Sequence, residues 1–226
     1  MKSRHIQIRI EQALALSQAS HCPRLKVAAI LLDPERNAIL ADGYNGGPRG
    51  AGGDLCMGYW CERNGFQKEL ARIEPGSRMD QRTGQRVREI QVHYGDTERV
   101  QAFTVDSIDI RGEDQAAKKA QDWVEKMVKE NPPIESGTRI EQGCHHAEMN
   151  VICNAAAQGT PTKGAWMIVL AEPCLMCAKL IHHAGIERVI VIEGGYLGGK
   201  TGVKYLRDNG VKVQEVPGPK DPRRGE

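Results

Sequence analysis

Residues 143–185 read GCHHAEMNVICNAAAQGTPTKGAWMIVLAEPCLMCAKLIHHAG and bring four chemically active side chains into one stretch of chain. Glu148 follows His146 by two positions, and Cys177 follows Cys174 by three. An imidazole and two thiolates can fill three corners of a zinc tetrahedron and leave the fourth for water. A glutamate beside such a site can carry protons without binding the metal. The spacing therefore predicts a zinc site on the histidine and the two cysteines, with the glutamate as its acid–base group.

Two helices and one strand account for this spacing. The apolar positions after His146 predict a helix that ends near residues 158–159, and residues 165–171 have the composition of a strand. Pro173 is suited to the first turn of a second helix, over residues 174–184, which Gly185 ends. Cysteines three positions apart share one helix face, and a helix N-terminus favours thiolate over thiol. The zinc is therefore expected where two helix N-termini meet near strand ends.

Helices and strands alternate through the rest of the chain. A glycine-rich loop at residues 43–53 interrupts the alternation. The remaining predicted elements are a helix over 4–20, strands over 27–32 and 38–43, a strand over 187–192, a helix over 200–209 followed by Gly210, and a strand over 211–216. Together with the motif segments, this order predicts an α/β fold of three layers, α/β/α, on one mixed sheet of five strands.

A long, highly charged insertion separates the glycine-rich loop from the first motif. Within it, residues 100–110 alternate enough to form a strand or hairpin arm, and residues 115–129 have helical spacing of apolar side chains. The predicted organisation is one domain formed by residues 1–61 and 144–216, an insertion of unassigned role at 62–143, and a disordered tail at 217–226.

The composition excludes several classes of function. The formal net charge of the 226 residues is +2, and aromatic residues make up 4%, so neither a basic stripe nor a base-stacking platform for nucleic acid is expected. No apolar run reaches membrane-spanning length, and the N-terminus lacks a signal peptide's apolar core, so a cytoplasmic location is expected. Seven cysteines without an export signal favour metal binding over disulfides.

Three motifs resemble one known family of enzymes. They are His146-Ala-Glu-Met-Asn150, Pro173-Cys-Leu-Met-Cys177, and Cys22-Pro-Arg24-x-x-Val27 leading to Gly43-Tyr-Asn-Gly-x-Pro48. The first two match the H-x-E and P-C-x-x-C signature of zinc-dependent nucleobase deaminases. The third is more particular to the deoxycytidylate (dCMP) deaminase branch of the cytidine deaminase superfamily. The chain is therefore identified as similar to that branch over residues 1–61 and 144–216.

This resemblance implies a reaction and a set of roles. The reaction is zinc-dependent hydrolysis of dCMP to dUMP and ammonia in pyrimidine deoxynucleotide metabolism, with Glu148 as the catalytic residue. The family's substrate contacts fall on Arg24 for the phosphate, Asn45 for the sugar hydroxyl, the backbone around Ala147 for the base, and Tyr196 near the substrate. Arg24 could instead be a solvated surface residue, and Asn45 a simple turn residue. The resemblance also implies a homo-oligomer, with dCTP and dTTP as effectors at a site such as residues 46–53.

A second, structural zinc is also implied by the resemblance, because many relatives carry cysteines in comparable places. The expected ligands are Cys22, Cys56, Cys61 and Cys144, and His145 or His93 could replace one of them. Such an ion would order a loop too rich in glycine to order itself. The alternative is that these four are buried free thiols. The remaining cysteine, Cys153, is expected to be a small core residue on the helix that follows His146.

Two departures keep other functions open. Glu172-Pro-Cys-x-Met-Cys also resembles the tRNA adenosine and purine deaminases, and the insertion at 62–143 is longer than the common enzymes carry. The same zinc chemistry could therefore act on a modified or purine nucleotide, or on a base in tRNA or single-stranded DNA. A non-catalytic, zinc-stabilised binding module is the third hypothesis. The intact glutamate and the open ligand set count against that module, since a structural zinc takes four protein ligands.

Overall fold

The computed structural model describes residues 2–22, 25–47, 60–95, 100–105, 110–134, 143–192 and 200–217. The chain forms two compact units, one made of Met1–Gly46 with Cys144–Glu226 and the other of Gly47–Gly143. The sequence analysis placed the first boundary between domain and insertion after residue 61, whereas the two units divide after Gly46. The division into a deaminase domain and an insertion stays a prediction.

The helices and strands follow one another along the chain as predicted around the motifs, with further strands in the second unit. In chain order they are α1 (Ser3–Ser17), β1 (Ala28–Asp33), β2 (Ala38–Tyr44), β3 (Ala71–Met79), β4 (Arg86–Tyr94), β5 (Gln101–Thr104), α2 (Ile110–Glu130), α3 (Ala147–Ala157), β6 (Trp166–Val169), α4 (Leu175–His183), β7 (Arg188–Ile192), α5 (Lys200–Asp208) and β8 (Lys212–Val216).

The first unit is built on a mixed sheet of five strands in the order β2-β1-β6-β7-β8. β1 pairs antiparallel with β2 and β6, whereas β6, β7 and β8 run parallel to one another. Parallel strands need crossover connections, and α4 and α5 supply them. The carboxyl end of β6 leads directly to the first residues of α4, so the sheet positions the cysteine motif.

β1 lies at the centre of this unit and is buried on both faces. Ala29 and Leu31 pack into the core formed with α3, α4 and α5, whereas Ile30 and Leu32 pack into the core formed with α1. Successive side chains of a strand point to opposite faces, which explains the alternation. Each fully buried Leu or Ile side chain contributes about 1.5–3 kcal/mol. The prediction of three layers around a mixed five-stranded sheet is confirmed.

Glycines end the helices of this unit where the sequence predicts. Gly159, Gly185 and Gly210 have φ of 65°, 71° and 80°, the left-handed conformation that glycine adopts without strain. Two predicted details are wrong. α1 ends at Ser17, whose hydroxyl donates to the Leu14 carbonyl, rather than at residue 20. Pro173 lies before α4 and not in its first turn, because Cys174 is the N-cap and accepts a hydrogen bond from the Cys177 N–H.

The second unit contains a three-stranded antiparallel sheet in the order β3-β4-β5 and the helix α2. Phe66, Ile90 and Val92 pack with Ala120 and Val124 of α2 in its core. The prediction of a helix over 115–129 is confirmed, although α2 begins five residues earlier at Ile110. Of the predicted strand or hairpin arm at 100–110, Gln101–Thr104 forms β5, Ile110 begins α2, and residues 106–109 lie outside the described residues.

Sequence analysis missed the β3–β4 hairpin. Pro75 and Gly76 lie in the middle of β3, and both residues are unfavourable inside a central strand. β3 is an edge strand, where a proline is tolerated because its missing N–H faces away from the sheet.

None of the helices in the described ranges is long and apolar enough to cross a membrane.

Candidate active site

The starts of α3 and α4 hold the predicted zinc ligands. His146 is the N-cap residue of α3, and Cys174 is the N-cap residue of α4, both with extended backbone conformation. Cys177 lies in the first turn of α4 and is 3% exposed. The Cys174 sulfur accepts a capping hydrogen bond from the Cys177 N–H, whereas the His146 side chain makes no capping hydrogen bond, and each helix start carries at least one candidate ligand atom. The expectation that two helix N-termini meet at this site agrees with the positions of these residues.

Three donor atoms lie close enough to share one metal ion. His146 Nδ1 is 3.6 Å from Cys174 Sγ and 3.5 Å from Cys177 Sγ. In a zinc tetrahedron, usual bond lengths place a nitrogen and a sulfur ligand about 3.6 Å apart. The three atoms all lie within 4.8 Å of one another. The residues present therefore fit a zinc ion. His146 is exposed while Cys177 is buried, so the group is open to solvent on the histidine side.

The two thiols share a proton unequally. The Cys177 side chain hydrogen-bonds Cys174 and, with the nearby His146, lowers the pKa of the Cys174 thiol to about 4. The same hydrogen bond and burial raise the pKa of Cys177. The hydrogen bond to Cys174 also raises the pKa of His146. Without metal, Cys174 is therefore the thiolate of the pair, and metal binding must displace the shared proton.

Glu148 lies in the first turn of α3, two residues after the histidine, and is only 4% exposed. Burial is the main cause that raises the pKa of its carboxyl group, and the charge of His146 opposes that rise. The carboxyl group also hydrogen-bonds the Cys177 side chain, so it lies beside the donor atoms. A carboxyl group in this environment is easier to protonate than one in water.

The turn after β2 adjoins the residue that precedes His146. Gly46 N–H donates to the His145 carbonyl at 3.2 Å, and His145 N–H donates to the Gly46 carbonyl at 2.9 Å. Asn45 is 8% exposed, and its side chain accepts from Val27 N–H at 2.8 Å and donates to the Leu25 carbonyl at 2.9 Å. The side chain therefore has the turn-stabilising bonds of the alternative interpretation, and its contact with a sugar stays a prediction. Ala147 is fully buried at the start of α3.

Several predicted residues fall outside the described ranges or in different units. Arg24, Tyr196 and Cys56 lie outside the residues that the structure describes. Cys22 and Cys144 are partly buried in the first unit, and Cys61 is buried in the second. The alternative ligands divide in the same way, with His145 in the first unit and His93 in the second. The four-cysteine site therefore stays a prediction.

The prediction for Cys153 is wrong. This cysteine is exposed rather than part of the core. The buried apolar positions of α3 are Ala147, Val151 and Ala155, spaced four residues apart. Cys153 lies midway between the last two and so points to the other side of the helix.

Sequence analysis missed Gly202, a glycine in the first turns of α5 that supports the cysteine motif. A Cβ atom at this position would lie 1.9 Å from the Pro173 carbonyl oxygen. Only a glycine lets α5 approach the backbone before Cys174 so closely. The available signal was a glycine inside a helical pattern, which often marks a packing requirement.

This geometry, three donor atoms that fit one zinc ion beside a buried carboxyl group, is typical of zinc-dependent hydrolases. The chain belongs to the cytidine and deoxycytidylate deaminase family, whose zinc-binding region matches residues 3–193. The deoxycytidylate deaminase of Enterobacteria phage T4 is 30% identical over 211 residues, which cover 92% of this chain and 88% of that protein. The phage T2 enzyme of the same name is 32% identical over 92% of this chain and 90% of its own length.

A solved structure supports the fold. The dCMP deaminase of cyanophage S-TIM5, in complex with dCMP and dUMP, superposes with a TM-score of 0.55 at 19% identity. The match covers 96% of this chain and 99% of that one. The similarity therefore extends through the second unit.

Proposed function

We propose that this protein catalyses the zinc-dependent hydrolytic deamination of dCMP to dUMP and ammonia. The observation that carries the proposal is the group formed by His146, Cys174 and Cys177 with the buried Glu148 beside it. The membership of the chain in the deaminase family supports the reaction type. Its two phage relatives, matched along nearly their whole lengths, are named deoxycytidylate deaminases and support the substrate.

His146, Cys174 and Cys177 would hold the catalytic zinc. When bound, zinc would supply a Lewis acid that lowers the pKa of the water molecule it holds, so that this water can lose a proton at neutral pH. Two thiolates and one neutral imidazole balance the charge of the ion. The low pKa of Cys174 favours binding, because this ligand is already deprotonated at neutral pH.

Glu148 is the residue that moves protons in the proposed reaction. Hydrolysis replaces the exocyclic amine of cytosine with an oxygen from water, and ammonia leaves. The water gives up two protons: one goes to the ring nitrogen, where it stays in uracil, and the other goes to the amine, which leaves as ammonia. A carboxyl group whose pKa is raised by burial is better able to hold a proton and then return it. Its position in the first turn of α3 holds it beside the donor atoms throughout.

The substrate contacts follow the family resemblance. Arg24 would bind the phosphate, and the backbone around Ala147 would hold the base, with Tyr196 close by. Asn45 would reach the sugar hydroxyl. Its Oδ1 accepts from Val27 N–H, and its Nδ2 donates to the Leu25 carbonyl. An asparagine amide has two N–H donors and two acceptor lone pairs, so a second donor and a second lone pair remain that could bind a ligand.

A second zinc, held by Cys22, Cys56, Cys61 and Cys144, is a further part of the proposal. It would be structural, because four cysteine ligands leave no position for water. Elemental analysis should find two zinc ions per chain, and one ion per chain would reject this site.

We also propose a cytoplasmic homo-oligomer that dCTP activates and dTTP inhibits. Light scattering can check the oligomer, and activity assays with each nucleotide can check the regulation.

Ammonia release with a panel of substrates tests the proposed function. The panel contains dCMP, CMP, dCTP, deoxycytidine, AMP derivatives and single-stranded DNA. We expect the highest kcat/KM with dCMP and loss of activity after zinc is removed by a chelator. A preference for a purine nucleotide or for single strands would replace dCMP as the substrate while keeping the chemistry. No release from any substrate by zinc-loaded protein would contradict the enzyme proposal.

A further inference from the structure

We propose that Asn150 and Asn154 of α3 are positioning residues that fix the turn after β2 relative to the catalytic group. The turn comprises Asn45 and Gly46, directly after Tyr44, the last residue of β2. The proposal concerns the binding of the nucleotide and rests on the proposed function in that respect. The anchoring itself is a property of the fold and can be measured without activity.

The two asparagines bind the backbone of β2 directly. Asn150 Nδ2 donates to the Tyr44 carbonyl at 2.7 Å, and Asn154 Nδ2 donates to the Asp42 carbonyl at 2.7 Å. β2 is an edge strand of the five-stranded sheet, and an edge strand has carbonyl groups that no neighbouring strand can satisfy. The donors are four residues apart on one helix face, and the acceptors are two residues apart on the strand. The helix and the strand therefore match in register over one turn.

Gly43 makes this register possible. It lies between the two accepting residues, and a Cβ atom there would be 2.7 Å from Val151 N and 3.1 Å from Asn150 Cβ. A side chain at this position would force α3 away from β2. The glycine lets the helix approach closely enough for short asparagine side chains to reach the strand.

The turn is held on its other sides as well. Asn45 bonds Val27 and Leu25 ahead of β1, and Gly46 pairs with His145. Asn150 adds the bond to the Tyr44 carbonyl. Asn150 lies on α3, the helix that also carries Glu148 two residues earlier. The turn thus has a defined place with respect to the proton carrier. Displacing a binding group by about 1 Å can change catalysis markedly, which gives these bonds a role beyond stability.

Replacing Asn150 with Asp tests the role of the donor. The side chain keeps its size but places oxygen atoms opposite the Tyr44 carbonyl. Asn150→Ala removes the amide without adding a charge and separates the loss of the bond from charge repulsion. For both variants we expect KM for dCMP to rise about tenfold, with kcat within about threefold and zinc content unchanged. Asn154→Asp should show a smaller rise, because Asp42 lies further from the turn.

Asn209→Asp is the matched control. Asn209 Nδ2 also donates to a backbone carbonyl, that of Tyr205 at 2.8 Å, but this bond is local to the end of α5. Its KM should equal that of the unchanged protein. Hydrogen exchange gives a readout independent of substrate, since the amides of Asn45 and Gly46 should exchange faster in both Asn150 variants and not in the control.

The outcomes separate this proposal from the proposed function. An unchanged KM in both Asn150 variants, even with a lower Tm, would show a purely structural role and overturn the proposal. Unchanged exchange at Asn45 and Gly46 would overturn it too. If the unchanged protein binds zinc but does not deaminate dCMP, the proposed function fails, and the exchange experiment still decides whether the asparagines anchor the turn.

Discussion

Among the residues that the structure describes, one glutamate is buried in each of the two units, and the two side chains have different surroundings. Glu89 in β4 is 2% exposed, with Arg78 Nε 3.4 Å from its Oε2 and the Gln91 amide donating to its Oε1 at 2.7 Å. Glu148 in α3 is 4% exposed and lies beside Cys177 and His146. Among the described residues, no lysine or arginine forms an ion pair with Glu148.

The difference shows how one residue type serves two purposes at equal burial. Glu89 has a cation and an amide donor as partners, and these contacts tie it to the sheet of the second unit. Glu148 has no lysine or arginine partner among the described residues, and burial raises the pKa of its carboxyl group, which suits the proton transfer proposed for it. The partners of a buried glutamate, rather than the extent of its burial, therefore indicate whether it has a structural role or can take part in proton transfer.

The largest expected effect comes from removing a metal ligand while leaving Glu148 in place. Cys177→Ser should lose the catalytic zinc and lower kcat/KM by at least about a thousandfold, since a Lewis acid contributes several kcal/mol. Zinc analysis and ammonia release check this result. Cys153→Ser, on the exposed side of α3, is the matched control and should keep both. Near-normal turnover by the Cys177 variant would mean that Glu148 does not depend on the metal.

A smaller effect is expected from the backbone that supports the cysteine motif. Gly202→Ala would press a methyl group against the Pro173 carbonyl, because the Cβ atom would lie only 1.9 Å from the carbonyl oxygen. Overpacking of this kind should cost about 3 kcal/mol of stability. Denaturant unfolding measures the cost, and Lys204→Ala on the exposed side of the same helix should change little. An equally stable Gly202 variant would show that α5 does not hold this segment.

The smallest effect is expected at the other glutamate. Glu89→Gln keeps the shape but removes the charge that faces Arg78, whose side chain is 47% exposed and screened by solvent. The free energy of unfolding should fall by about 1–2 kcal/mol, with deaminase activity unchanged. Unfolding curves and ammonia release together check this. If activity is lost at unchanged stability, Glu89 has a chemical role and the contrast with Glu148 does not hold.

Local patterns in the sequence predict most helices and strands of the first unit, and they also predict that His146, Cys174 and Cys177 lie together. The spacing of His146, Glu148, Cys174 and Cys177 is a consequence of two helix starts, so it is visible without the fold. Long-range contacts are different. The bond from Asn150 to Tyr44 joins residues 106 positions apart, and nothing in the local sequence indicates it. The β3–β4 hairpin escaped prediction because the proline and glycine of an edge strand resemble those of a loop.

The measurement that tests the central claim most directly compares zinc content and turnover in Glu148→Gln. Glutamine has the size of glutamate but cannot carry a proton, and Glu148 is not a ligand in the proposed site. The account predicts zinc binding equal to that of the unchanged protein and a kcat lower by at least about a hundredfold. Substantial deamination by the zinc-loaded variant would contradict the assignment of Glu148 as the proton carrier.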